Sequence, residues 1–149
     1  MYHNTNTLEL QMTTTAQFDR RFAFRLDLQS GVPVYRQIID QVLGGIAAGV
    51  LKPGDQLPTV RQLAVDLAIN PNTVVRAYRE LEIREVLATQ QGTGTFITDK
   101  KPEKSDIERQ RRIAQLAGDL LARAGAEGIT LPELLEYLTE VNKDNDRRR

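Results

Sequence analysis

Apolar residues recur at helical spacing across residues 70 to 81, and the polar ones between them are not scattered. Val74, Ala77, Tyr78 and Leu81 fall on one face of a helix, while Asn72, Arg76 and Arg79 fall on the opposite one. Asn70 suits the N-cap, and Pro71 suits the first helical position, where its missing N–H has no intrahelical partner. Upstream, Thr59-Val60-Arg61-Gln62 has the form of a capping box, followed by Val60, Leu63, Ala64 and Leu67 at core spacing. Only Ala68-Ile69-Asn70 separates the two helices. Two short helices joined by so tight a turn, the second opening with small polar residues and arginine, predict a helix-turn-helix.

The same reading organises the rest of the chain. Phe22, Phe24, Leu26 and Leu28 alternate in a short extended segment, and Pro33 opens a first core helix with Tyr35, Ile38, Ile39, Val42, Leu43 and Ile46 on its apolar face, ending near Gly49. Residues 51 to 55 read as a turn, with Leu51 and Leu57 as apolar anchors. Beyond the second helix of the pair, residues 86–89 and 95–98 are strand candidates bracketing Gln90-Gln91-Gly92-Thr93-Gly94, a hairpin placed as a wing. Residues 100–104 form a charged linker. Ser105-Asp106-Ile107-Glu108 and Thr130-Leu131-Pro132-Glu133 are two further capping boxes, with Ile129 and Leu134 placed as a hydrophobic staple. The helix from the first is expected to run to about Ala124 and to be broken by Gly125 and Gly128. The predicted fold class is therefore mainly α with a small β wing: a winged helix-turn-helix over 22–99, a helical dimerisation region over 105–141, and a charged, frayed tail over 142–149. Residues 1–21, rich in Thr, Asn and Gln, read as a mobile extension with no assigned role.

A length of 149 residues with 40% apolar content allows one ordinary domain and an appendage. There is no cysteine, which excludes disulfides and thiolate metal sites and fits a reducing cytoplasm. No stretch reaches the length of a membrane span and the start lacks a signal pattern, so a soluble cytoplasmic protein without a membrane partner is expected. Net charge is zero. Between residues 31 and 100, Arg36, Lys52, Arg61, Arg76, Arg79, Arg84 and Lys100 are matched by Asp40, Asp55, Asp66, Glu80, Glu82, Glu85 and Asp99. DNA affinity must then come from where charge is placed, since the total supplies none.

Catalysis finds no support. The single histidine, His3, lies in the N-terminal extension, the carboxylates read as caps and solubilising charge, and Gly92-Thr93-Gly94-Thr95 lacks the lysine, spacing and following helix of a nucleotide loop. No enzyme, metal site or cofactor is expected. Two short C-terminal helices cannot enclose a ligand pocket of about 300–1,000 Å³, so a small-molecule effector stays unknown. Their apolar stripe, with Ile107, Ile113, Leu116, Leu120, Leu121, Leu134, Leu135 and Leu138, is better explained by a second copy of the chain.

Helix, turn, two helices and wing in this order resemble the head of the GntR regulator family. The likeness covers residues 32 to 98, in the run from Val32 to Ile38, in Gly49 to Ala64, in Asn70 to Tyr78, and in Gly92-Thr93-Gly94-Thr95-Phe96-Ile97. The short C-terminal part and the Asn-Pro-Asn-Thr helix start resemble the YtrA-type subfamily. That resemblance implies a homodimeric repressor, often encoded beside ABC transporter genes, and a DNA contact by Arg61. Pro71 and Val75 stand where many members carry arginine, Glu85 replaces a usual glycine, and Gln90, Gln91 and Thr93 replace basic wing residues.

The candidate DNA-contacting set is accordingly Thr59, Arg61, Asn70, Asn72, Thr73, Arg76, Arg79, Gly92, Thr93 and Gly94. Arg76 is placed at a base edge, Arg79 at phosphate, Asn72 at a base or phosphate, Thr73 at phosphate or as a cap, and the wing's Thr93 and N–H groups on the DNA backbone. Zero net charge and the depleted wing leave an alternative, a winged-helix protein-interaction module without DNA affinity.

Overall fold

The computed structural model describes residues 22–101 and 103–147, so the expectations for residues 1–21, His3 among them, lie outside it. The described residues divide into two compact units, one ending at Lys100 and one beginning at Lys101.

The first unit holds α1 (Val34–Ala47), β1 (Gln56–Leu57), α2 (Val60–Leu67), α3 (Pro71–Ile83), β2 (Leu87–Gln90) and β3 (Gly94–Ile97). Its core is built from the positions that the apolar periodicity singles out. Ile38, Ile39 and Val42 of α1 meet Leu63 and Ala64 of α2 and Val74, Ala77, Tyr78 and Leu81 of α3, with Leu51, Leu57, Leu87 and Ile97 closing the cluster. Each large side chain so enclosed stabilises the fold by about 1.5–3 kcal/mol.

The chain entering α1 runs extended, with Phe22 and Phe24 packed on the core and in edge-to-face contact at 4.9 Å. Among the described residues, no strand pairs with it. Two glutamine side chains of α1 take that part: Gln41 accepts from the Arg25 N–H and donates to its carbonyl (2.8 and 2.7 Å), and Gln37 does the same for Asp27 (2.9 and 2.8 Å). Leu28, expected on the apolar side, lies in the following turn and is exposed.

The sheet is antiparallel in the order β1-β3-β2, with Leu57 opposite Thr95, and Leu87 opposite Ile97. Two of its strands match the expected hairpin to within a residue. The third is not predicted by the sequence pattern: Leu57, which reads as a loop anchor, is part of β1. Backbone bonds from Gly54 N–H to the Ile97 carbonyl (2.8 Å) and from Ile97 N–H to the Asp55 carbonyl (2.9 Å) extend this pairing into the turn. The central strand β3 is thereby held on both edges, and β1 fastens the wing on its β3 side.

The second unit contains α4 (Asp106–Ala126) and α5 (Leu131–Arg147). Both capping boxes form, Ser105 with Glu108 and Thr130 with Glu133. Gly125 does not break α4; it lies inside the helix, which ends at Ala126, two residues later than expected. Gly128, at φ 73°, is the stop: its N–H reaches the Gly125 carbonyl and the Ile129 N–H reaches the Ala124 carbonyl, the paired bonds of a Schellman motif that favours glycine. Helix α5 continues through Arg147, past the expected limit at 141, so residues 142–147 of the predicted frayed tail are helical.

Candidate nucleic-acid interface

Helices α2 and α3 are set against each other by their ends. The Thr59 hydroxyl accepts from the Gln62 N–H at 3.1 Å, which caps α2, but the reciprocal half of the expected box is missing because the Gln62 amide donates instead to Asp66, at 2.7 Å. The turn closes through Ala68 in the left-handed region, φ 53°. The Asn70 side chain caps α3 through the Asn72 N–H at 2.8 Å. Tyr78, buried on the inner face of α3, donates its hydroxyl to the Pro58 carbonyl at 2.7 Å and so ties α3 to the segment entering α2. Burial holds the Tyr78 phenol well above the ordinary tyrosine range.

With the inner face fixed, the outer face of α3 is exposed. Asn72, Arg76 and Arg79 share one open depression with Val75, Glu80 and Ile83. Arg61 is exposed on the first turn of α2. The ion pairs formed among the described residues join Arg36 to Asp40, Arg84 to Glu80 and Lys100 to Glu85, and none of them engages Arg61, Arg76 or Arg79. A chain without net charge thus keeps three arginines outside its described ion pairs, on the exposed faces of two consecutive helices.

Other expected residues divide by how much of their chemistry is already used. Thr59 and Asn70 are exposed, but their side-chain oxygens are engaged as caps. Thr73 is half-buried, with its N–H on the Asn70 carbonyl at 3.0 Å. At the wing tip, Gly92 (φ 77°) and Gly94 (φ 135°) make the turn, and a side chain at Gly94 would collide with the Gln56 amide. The Thr93 N–H, expected to be available to DNA, is committed to the Gln90 carbonyl at 3.0 Å, and the Thr93 carbonyl accepts from Gln56 at 3.2 Å. That leaves the exposed Thr93 side chain as its free polar group.

Sequence reasoning did not find two contributors. Gln56 props the wing tip from β1, and Tyr35 of α1 lies under the Arg76 guanidinium, whose carbon is 3.7 Å from the ring centroid. Both contacts join residues at least 37 positions apart in the chain, beyond any local pattern. In the second unit, Ile107, Ile113, Leu116, Leu120, Leu121, Leu135 and Leu138 are exposed, and Leu134 is half-buried. Among the described residues no acidic or histidine cluster could hold a metal ion, and no helix is long and apolar enough to cross a membrane.

A three-helix head with a capped second and third helix, a free arginine-bearing face and a wing is the DNA-binding unit of a transcriptional regulator. The model of bacterial regulatory proteins of the gntR family matches residues 34–97. The chain is 36% identical over 120 residues to the HTH-type transcriptional repressor YtrA of Bacillus subtilis, covering 80% of this chain and 92% of that protein. It is 40% identical over 120 residues to the HTH-type transcriptional regulator Rv1152 of Mycobacterium tuberculosis, covering 80% and 94%. Among solved structures it is similar to a protein described as a transcriptional antiterminator from Listeria monocytogenes, with a TM-score of 0.60 and 28% identity over 84% of this chain and 93% of that one. The chain belongs to the GntR family of bacterial regulatory proteins and is a transcriptional regulator.

Proposed function

We propose that this protein is a cytoplasmic, homodimeric, sequence-specific repressor that acts on an inverted-repeat operator, with no catalytic role. The observation that carries the reading is the exposure of Arg61, Arg76 and Arg79 outside the described ion pairs, on the faces of α2 and α3 that the core does not use. In this reading α3 enters the major groove, Arg76 and Asn72 reach base edges, and Arg61, Arg79 and Thr73 hold phosphates. Thr59 and Asn70 act as the caps that aim those helices, and Gly92, Thr93 and Gly94 bring the wing to the DNA backbone.

Helices α4 and α5 supply the dimer. Their leucine and isoleucine stripe is 42–74% exposed at the seven positions from Ile107 to Leu138 named above, and pairing with a second copy covers it. A two-fold dimer then presents two heads to a two-fold site. The name of the Bacillus relative, a transcriptional repressor, supports repression, and the resemblance to YtrA-type regulators makes a transporter operon a candidate target. A gel shift on duplex from the protein's own promoter region tests the reading: binding should weaken steeply as salt rises, because each neutralised phosphate releases counterions. Failure to bind that duplex or a neighbouring operon's promoter at low salt would count against it.

A further inference from the structure

We infer that Tyr35, on the first turn of α1, is a positioning residue for base readout: its ring holds the Arg76 guanidinium flat so that the in-plane N–H edge faces DNA. The inference rests on the proposed DNA-reading role of α3. Arg76 carries its guanidinium carbon 3.7 Å from the Tyr35 ring centroid, within the stacking range of a planar cation on an aromatic face. Tyr35 is half-buried and packs against the core cluster, so the ring is anchored while Arg76 is exposed.

Stacking occupies the face of the guanidinium and leaves its N–H donors in the plane, where bidentate recognition of a guanine edge needs them. A long arginine on an open helix face would otherwise sample many rotamers, and ordering it only on contact with DNA would cost affinity and blur the choice of base. The neighbouring charges do not compete for it: Arg36 is paired with Asp40 at 3.2 Å, and Glu80 with Arg84. Without the Tyr35 ring the charge would remain and the orientation would be lost.

The test uses duplexes enriched from a random-sequence pool by the intact wild-type chain, then titrated with single-base variants. Tyr35→Phe keeps the ring and should leave base preference unchanged. Tyr35→Leu should lower discrimination about two- to fivefold, the size of an exposed cation–π contact, at the base pairs that Arg76→Ala also affects. In the Arg76→Ala background Tyr35→Leu should add nothing to that loss. If leucine melts the head, Tyr35→Met, an unbranched chain without a ring, is read the same way. A Tyr35→Leu protein that loses affinity evenly across all base variants, or whose loss adds fully to that of Arg76→Ala, would make Tyr35 a clasp between α1 and α3 and overturn the inference. Unchanged preference in Tyr35→Leu would overturn it as well, with the DNA reading intact. A wild-type chain that enriched no sequence would overturn both.

Discussion

The Tyr78 hydroxyl, carried on the inner face of α3, donates to the Pro58 carbonyl ahead of α2 at 2.7 Å, so one bond sets the two helices of the reading head against each other. Tyr78→Phe should cost about 1–3 kcal/mol, because the carbonyl loses its partner in a part-buried site. The urea midpoint should fall with the slope unchanged. A pH effect follows from the same residue. Burial raises the folded phenol above its ordinary value of 10.0, so above that pH the unfolded chain ionises first and binds fewer protons than the folded one. The contribution is fully present below about pH 9 and is lost as pH rises through 10 and beyond. Wild type should therefore lose more stability than Tyr78→Phe between pH 9 and 11, a narrowing gap that denaturation at several pH values would read.

Glu85 holds a left-handed backbone, φ 60°, where α3 gives way to the wing. The chain tolerates this through Thr98, whose hydroxyl donates to the Glu85 carbonyl, and through a solvent-exposed pair with Lys100. The conformation costs a side-chain-bearing residue more than a surface ion pair returns. Glu85→Gly should raise stability by about 0.5–1 kcal/mol, whereas Glu85→Ala, which keeps the strain and loses the pair, should not. Thermal melts of both variants would separate these outcomes.

Helix starts were the most legible feature of the sequence. Asn70 before Pro71, Ser105 before Glu108 and Thr130 before Glu133 are local signals, and each caps a helix where expected. The core followed for the same reason, since helical periodicity over 34–47 and 70–81 picks out Ile38, Val42, Val74 and Leu81. Non-local contacts were hidden. Strand β1 is two residues long and exists through pairing with Thr95 and Phe96, and Gln37 and Gln41 resemble ordinary surface residues until the extended segment beside them is in place. Gly125 misled because a single glycine within a helix costs only about 1 kcal/mol, which the rest of α4 outweighs. At the interface, Arg76 was legible as exposed but its Tyr35 partner was not.

The dimer assignment predicts that a chain ended at Lys100 is monomeric. The first unit ends there, and it leaves behind the whole exposed stripe of α4 and α5. Analytical ultracentrifugation at micromolar concentration should show the intact chain as a dimer and the shortened one as a monomer with its head still folded. A shortened chain that stayed fully dimeric would move the interface into the head.

Arg61 and Arg76 should differ in kind. Arg76→Ala should cost about 1–3 kcal/mol of binding and flatten preference at one position per half-site, as loss of a bidentate base contact does. Arg61→Ala should weaken all sequences alike and reduce the salt slope by about 1. Titrations of each variant against single-base changes and across salt would show whether the roles are so divided. Equal preference profiles in the two variants would remove Arg76 from base readout.

Footprinting of the intact chain on a duplex enriched by that same chain tests the central claim most directly. A two-fold dimer with one recognition helix per head should protect two symmetric half-sites with centres about one helical turn, roughly 10 base pairs, apart. Protection of a single unsymmetrical half-site by one subunit would contradict the account.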